Sequence, residues 1–239
     1  FRLFPNPTGG STTVSNVVVD GQPAAPRYAQ ADSAMFVPLP TPLQPGEQAV
    51  LGMDFDVTVP TDAASSNYGT FAYLEDVLAL AHAYPMIAVY DDEGWNTEIA
   101  PPDGDVIYAD AAYYLAQVSA PADLTVVTSG VTLDRQQEGD VQTLTVAAGP
   151  ARDFYLAASP SYQVVSRQVG ETTINSYAPR SLMAGAETVA DVAVEAVEVF
   201  TERFGPYPYR EMDLVSTATS ALGVEYPGIM ALTEQIYGR

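Results

Sequence analysis

Glu225 lies in the string Ser220-Ala221-Leu222-Gly223-Val224-Glu225-Tyr226-Pro227-Gly228, which reads as a loop entering a strand with one carboxylate on its edge. Taken alone, such a string is an exposed turn more often than a site. The other candidate chemistry is sparse. Asp91-Asp92-Glu93 and Asp103 with Asp105 are loop carboxylates of the kind calcium accepts, yet no spacing among them matches an EF-hand loop. His82 is the one histidine, set in the apolar run Leu80-Ala81-His82-Ala83-Tyr84, where an imidazole reads as a hydrogen-bonded structural group. Trp95 and the 15 tyrosines could stack on a sugar, but a β-rich core uses the same residues.

Composition removes most other mechanisms. The 30 Asp and Glu against 9 Arg and no Lys leave a net charge of −21, a field that repels a nucleic-acid backbone. Without Lys there is no Schiff-base lysine, P-loop lysine or Ser-Lys dyad. With no Cys there are no thiol nucleophiles, thiolate zinc sites or disulfides, and one histidine cannot supply the imidazoles of a usual catalytic zinc site. The most apolar stretch, Val77 to Tyr90, is too short for a spanning helix and is broken by His82 and Pro85. The opening Phe1-Arg2-Leu3-Phe4-Pro5 has no charged n-region or apolar h-region, and Phe1 to Phe4 reads as the middle of a strand cut from something longer. The sequence places the protein in no particular compartment.

From Thr12 to Val169 the pattern is strand-like. Leu51, Met53, Phe55, Val57 and Val59 alternate with Gly52, Asp54, Asp56 and Thr58, which puts the apolar set on one face and predicts a second sheet against it. Further strands are expected over 13–20, 108–118, 124–128, 141–147, 154–158 and 162–168, punctuated by turns at Asp20-Gly21, Pro45-Gly46, Pro102-Asp103-Gly104, Glu138-Gly139-Asp140 and Gly149-Pro150. This spacing predicts an antiparallel β-sandwich. Between Ala184 and Phe204 the period changes: Val189, Val192, Ala196, Val199, Phe200 and Phe204 recur at helical spacing, with Glu187, Asp191, Glu195, Glu198 and Glu202 opposite. Gly205 and Pro206 stop that helix, and strand-like runs follow over 213–218 and 228–233.

Phe204-Gly205-Pro206-Tyr207-Pro208-Tyr209 followed by Gly223-Val224-Glu225-Tyr226-Pro227-Gly228 resembles the opening of the catalytic domain in the aminopeptidase N family of gluzincin zinc metallopeptidases, in its bacterial form. There a helix ends in F-G-x-Y-P-Y and an edge strand carries G-x-M-E-N. Tyr84-Pro85-Met86-Ile87-Ala88-Val89-Tyr90-Asp91-Asp92-Glu93-Gly94-Trp95 and Ala148-Gly149-Pro150-Ala151-Arg152-Asp153-Phe154 are similar to segments of the family's N-terminal sandwich. Leu222 and Val224 depart from the motif's Gly and Met, and Tyr226 replaces Asn, as bacterial members that read M-E-Y-P-G do.

The resemblance implies a mainly β chain. An N-terminal sandwich would occupy residues 1–167 and the truncated α+β start of a thermolysin-like peptidase domain residues 168–239. It implies peptide substrates, with Gly223, Val224, Glu225 and Tyr226 as the substrate-binding strand. It further implies zinc held by an H-E-x-x-H helix and a distant Glu beyond Arg239, so that no catalytic or metal-ligating residue lies in this chain. Physical chemistry agrees with that role for Glu225: a carboxylate on rigid edge-strand geometry can hold a substrate ammonium by a charge-assisted hydrogen bond, while the strand's free backbone pairs with the peptide. The rival readings are an extracellular β-sandwich binding module with calcium in its acidic loops, and a family homologue without activity.

The 239-residue chain by itself is expected to bind no stoichiometric zinc and to cleave no peptide, because a lone His82 among carboxylates supplies none of the usual ligand sets. Elemental analysis after dialysis against a weak chelator checks this, and one zinc per chain would contradict it.

Overall fold

Alternating apolar positions and closely spaced turn residues make the chain mainly β. The computed structural model describes residues 1–62, 68–99 and 107–238. Two compact units form: Phe1–Pro60 with His82–Asp110, and Thr61–Ala81 with Ala111–Arg239.

In the first unit Ser11–Val19 pairs antiparallel with Leu51–Thr58, and the Asp20-Gly21 turn, both residues at positive φ, returns Gln22–Pro23 onto the same strand. Two short ladders complete it, Arg27–Ala29 with Ala34–Phe36 and Tyr90–Asp91 with Gly94–Trp95. The apolar face of Leu51–Thr58 is not sealed as its alternation predicts: Leu51, Met53 and Val57 are half-buried and Phe55 is 44% exposed. These ladders are too short to make a second sheet of matching length. The opening residues form no strand either. Arg2 makes isolated bridges to Met86 and Ala34, Leu3 is fully buried, and Phe4 packs with Met86 and Ala109. The Arg2 guanidinium is buried over the Phe4 ring and donates to the Glu98 carbonyl at 2.6 Å.

The second unit is built in layers. Ala112–Pro121, Val141–Ala151 and Val131–Glu138 make a three-stranded antiparallel sheet, and Thr125–Thr128, Tyr155–Ser159, Val77–Ala81 and Phe71–Leu74 make a four-stranded one, each in that order. Leu144 and Val146 of the first meet Val126 and Ala158 of the second, so the sandwich is present here. The Gly149-Pro150 pair lies inside the strand Val141–Ala151 and is not a turn. The other face of the four-stranded sheet, with Ala79, Val127, Tyr155 and Ala157, packs on a five-stranded sheet through Val215, Tyr226, Ile229 and Ala231.

That last sheet runs in the order Tyr162–Val169, Thr172–Pro179, Glu211–Thr217, Ile229–Thr233, Gly223–Tyr226, with both pairings of Glu211–Thr217 parallel and the rest antiparallel. The expected division at 167/168 falls within its first strand. A long helix, Met183–Phe204, and a single turn, Glu234–Tyr237, cover its second face over Ile174, Met212 and Leu214. The helix stands where its 3.6-residue period predicts, but the buried positions are Gly185, Ala186, Val189, Ala190, Ala193 and Val197. Of the expected apolar face only Val189 is buried, Ala196 is half-buried, and Val192, Val199, Phe200 and Phe204 are exposed. Small residues let the helix sit close to the sheet, so the alanines face inward and the bulkier residues lie on the flank. Among the described residues no helix is long and apolar enough to cross a membrane.

Gly185 shows how close that packing is. A Cβ there would overlap the Tyr237 carbonyl, so alanine must push the C-terminal turn off the helix. Gly185→Ala is therefore expected to lower the unfolding free energy measured by urea denaturation by about 1–2 kcal/mol, strain outweighing the roughly 1 kcal/mol that alanine adds to an exposed helix. A stabilised variant would show that the turn does not pack there.

Candidate functional site

One edge strand of the five-stranded sheet is Gly223–Tyr226, delivered by a hairpin whose two loop residues are Pro227 and Gly228. Proline presets φ at the first loop position, and Gly228 at φ 78° takes the positive value that a type II turn demands at the second. The turn sets the register Tyr226↔Ile229, Glu225↔Met230, Val224↔Ala231 and Gly223↔Leu232.

Register then decides direction. Ile229 and Ala231 belong to the core against the four-stranded sheet, so Tyr226 and Val224 point there, whereas Glu225 and Gly223 share the helix-side face with Met230 and Leu232. Tyr226 is buried, its ring stacked on Tyr155 at 4.4 Å and 14°. Its side chain holds the strand in place, and only its backbone lies at the edge. Val224 is half-buried against the same core, while Glu225 and Gly223 are exposed. The four residues expected to bind substrate thus divide into two that anchor the strand and two that face outward.

The loop entering this strand is also fixed. The Thr219 hydroxyl donates to the Tyr68 carbonyl at 2.7 Å, the Ser220 N–H donates to the same oxygen at 2.9 Å, and the Ala221 N–H donates to the Thr219 hydroxyl at 3.2 Å. Leu222 accepts from the Thr233 N–H at 3.2 Å and leaves its side chain 69% exposed. These supports were not legible in the sequence: Tyr68 and Thr219 are 151 residues apart, and neither belongs to a motif. Behind the hairpin, the Gly228 carbonyl accepts from the Asp213 N–H at 2.9 Å.

The other sequence candidates belong to the first unit or lie outside the described residues. His82 is buried, with its ring 5.5 Å from Phe4. Asp91-Asp92-Glu93 forms the turn of a two-residue ladder in which the Glu93 N–H donates to the Asp91 carboxylate. Tyr90 and Trp95 meet edge-to-face at 4.9 Å on that ladder. Asp103, Asp105 and the turn at Pro102-Asp103-Gly104 lie outside the described residues. Among the described residues no group of three or more His, Asp or Glu side chains is arranged to hold a metal ion.

No protein-family model matches the chain, and no curated protein matches it. Solved structures do. An M1 zinc metallopeptidase from Deinococcus radiodurans, a mutant form bound to a Tyr-Ser-Ala substrate, is 19% identical with a TM-score of 0.64, over 94% of this chain and 51% of that one. A two-domain M1 zinc metallopeptidase mutant bound to L-arginine is 18% identical with a TM-score of 0.59, over 94% and 51%. A further structure of the M1 zinc metallopeptidase from D. radiodurans gives 18%, 0.59, 93% and 50%. This chain has the fold of the N-terminal half of an M1 zinc metallopeptidase. It spans about half the length of the solved M1 metallopeptidases it matches. The M1 fold is what the aminopeptidase N resemblance implied, including antiparallel sheets first and a mixed sheet with its helix after them.

One carboxylate near this edge is buried, not exposed. Asp213, on the strand beside Ile229–Thr233, is 4% exposed on the core side and accepts from the Asn175 side chain at 2.9 Å. Burial pushes its pKa up to about 7; the Asn175 hydrogen bond pulls it back and Glu211 raises it further. A carboxyl whose folded-state pKa lies above its unfolded value of 3.8 favours folding fully below about pH 4 and loses that contribution as pH rises to 7. Asp213→Asn keeps an acceptor for Asn175 and removes the ionisation. The variant is expected to match the parent chain near pH 4 and to exceed it by up to about 4 kcal/mol near pH 8, at 1.36 kcal/mol per unit. Urea unfolding at both values checks it; equal stability gaps would show that Asp213 ionises freely.

Proposed function

We propose that this chain is the first half of a zinc aminopeptidase of the M1 type, and that Glu225 anchors the substrate's α-ammonium. The observation that carries the proposal is Glu225 exposed on the free edge of a sheet whose neighbouring residue, Tyr226, is locked in the core. A carboxylate held this way loses little freedom on binding, so most of the charge-assisted hydrogen bond is retained. The outer side of Gly223–Tyr226 pairs with the peptide backbone and fixes where the first residue lies, with Gly223 allowing close approach. Leu222, exposed just before the strand, adds apolar contact at the same end.

On this reading the division near 167/168 separates the sandwich from the start of the peptidase domain. The described residues do not fit a zinc site, and on the proposed reading the metal and the hydrolytic groups come from sequence outside this chain. Residues 1–239 bind and orient: the amine is held at Glu225, the backbone at the strand edge. That a solved structure of the same fold carries a Tyr-Ser-Ala substrate supports a peptide as the ligand class.

The test uses the polypeptide of the complete reading frame. Glu225→Ala leaves the bound ammonium desolvated and unpaired, a loss of about 2 kcal/mol or more, which is about thirtyfold in kcat/KM for a free-amine peptide. An N-acetylated peptide has no ammonium to lose, so its slow turnover is expected to change little. Zinc content and Tm stay near their original values because Glu225 is exposed and outside the core. Equal losses on both substrates would sink the amine-anchor role.

A further inference from the structure

The hairpin that carries Glu225 rests on the sandwich at two places. At its turn, a Cβ added to Gly228 would stand 3.9 Å from the Gly130 nitrogen, so the loop lies against the Ser129-Gly130 turn that joins Thr125–Thr128 to Val131–Glu138. On its strand, the Tyr226 ring stacks on Tyr155 at 4.4 Å and 14°. Ser129 ties the two supports together. Its N–H donates to the Tyr155 carbonyl at 2.9 Å, its hydroxyl accepts from the Tyr155 N–H at 3.0 Å, and it is fully buried. Tyr155 itself begins a strand paired on both sides, with Thr125–Thr128 and Val77–Ala81. The seat under the hairpin is therefore as fixed as the middle of the four-stranded sheet.

Tyr155 is the largest of the fully buried side chains, and among the described residues its hydroxyl has no hydrogen-bond partner. A buried hydroxyl in that state is destabilising, so the interior gains nothing from it that phenylalanine would not supply. What this position uses is the ring. Two aromatic planes in near-parallel contact fix each other's height and tilt, which an aliphatic side chain of similar volume cannot do. Successive side chains on a strand alternate, so fixing the Tyr226 ring also fixes the direction in which Glu225 leaves the backbone. Glu225 is exposed, and that backbone sets where it stands.

We infer that Tyr155 is a positioning residue of the amine site, a ring of the sandwich that acts through Tyr226 to hold Glu225 where a substrate ammonium meets it. The inference rests on the proposed function. It gives the sandwich a part in substrate selection: the contact runs from Ser129 to Tyr155 by backbone hydrogen bonds, from Tyr155 to Tyr226 by stacking, and from Tyr226 to Glu225 along the chain. Without the Tyr155 plane the Tyr226 ring can tilt, and the carboxylate one residue away shifts with it. A charge-assisted hydrogen bond weakens steeply with such a shift. The amine is held alike in the bound substrate and in the transition state, so the loss appears in KM and leaves kcat in place.

The test compares ring and volume in the polypeptide of the complete reading frame. Tyr155→Phe keeps the ring, Tyr155→Leu removes it, and Tyr155→Met removes it with less lost volume should leucine not fold. Each is assayed on a free-amine peptide and on its N-acetylated form, with zinc content and Tm recorded. The phenylalanine variant is expected to stay within about twofold of the parent on both substrates. Leucine or methionine is expected to raise KM for the free-amine peptide about tenfold with kcat retained, and to leave the N-acetylated peptide nearly unchanged. Added to Glu225→Ala, the same substitution should cost less than about twofold more, because the group it positions is gone. Equal losses on the two substrates, or a full further loss on top of Glu225→Ala, would overturn the inference and show Tyr155 to be packing and nothing more. Glu225→Ala alone separates the two readings. If it slows both substrates alike, the amine anchor falls and the positioning role with it; if it slows only the free amine while Tyr155→Leu slows neither, the inference alone falls.

Discussion

The pleat at Glu225 and Tyr226 governs everything at the candidate site. Neighbouring residues on a strand must point to opposite faces, so burying Tyr226 against Tyr155 forces Glu225 outward on the helix side. A one-residue slip would bury the carboxylate and expose the tyrosine, which costs both the stacked pair and the solvation of a charge. The Pro227-Gly228 turn and the core stacking therefore select the same register, one from the chain's local geometry and one from the apolar layer beneath it. Two independent constraints that agree are what makes an exposed edge strand rigid enough to position a ligand.

The layers behind the edge explain why such a strand can remain open. The central sheet is buried on both faces, by Tyr155 and Ala157 on one side and by Ala186, Val189 and Ala193 on the other, and its middle strand Glu211–Thr217 is buried at nearly every position. Pairing in parallel on both sides is typical of strands so enclosed. Asp213 is the exception within that strand, a carboxyl kept in the core by one side-chain hydrogen bond from Asn175. It lies directly behind the hairpin through its N–H to Gly228, so the least comfortable group in the sheet adjoins the turn that sets the edge strand. Strain of this kind tends to gather near functional geometry.

Much of this architecture was legible in the residues, and the failures have physical causes. The hairpin at 223–233 and the helix at 183–204 declare themselves by Pro-Gly and by Gly-Pro, because backbone stereochemistry leaves those pairs few options. Strand Thr172–Pro179 does not declare itself: its Thr-Thr-Ile-Asn-Ser-Tyr-Ala-Pro sequence alternates buried Thr172, Ile174, Ser176 and Ala178, and small polar residues hide that period. The buried face of the helix lies one flank away from its bulkiest apolar residues, because hydrophobicity and burial are not the same property. Close helix-sheet contact selects small side chains, so alanine and glycine went inward. Leu51–Thr58 shows the converse: alternation names a face, not its partner. The site's outward residue was readable from the motif, but Tyr155, Tyr68 and Thr219, which hold the strand still, come from distant segments that local pattern does not connect.

Charge links the site to the rest of the molecule. A surface with 30 acids and 9 arginines creates a broad negative potential, and most of its carboxylates have no cationic partner available within the chain. Such a field is unspecific: it draws any cation, and salt screens it beyond about 10 Å. Glu225 differs from the other acids in its mounting, not in its charge. It projects from an edge-strand backbone held by hydrogen bonds to Ile229–Thr233, and that mounting is what the proposed amine anchor relies on. In the proposed role, a peptide with a free amino terminus engages both the carboxylate and the strand edge, whereas a metal cation or an arginine side chain engages only the carboxylate. Under the proposed function, selectivity for an amino terminus rests on the geometry of one strand edge, while the field of the other acids contributes to encounter and little to choice.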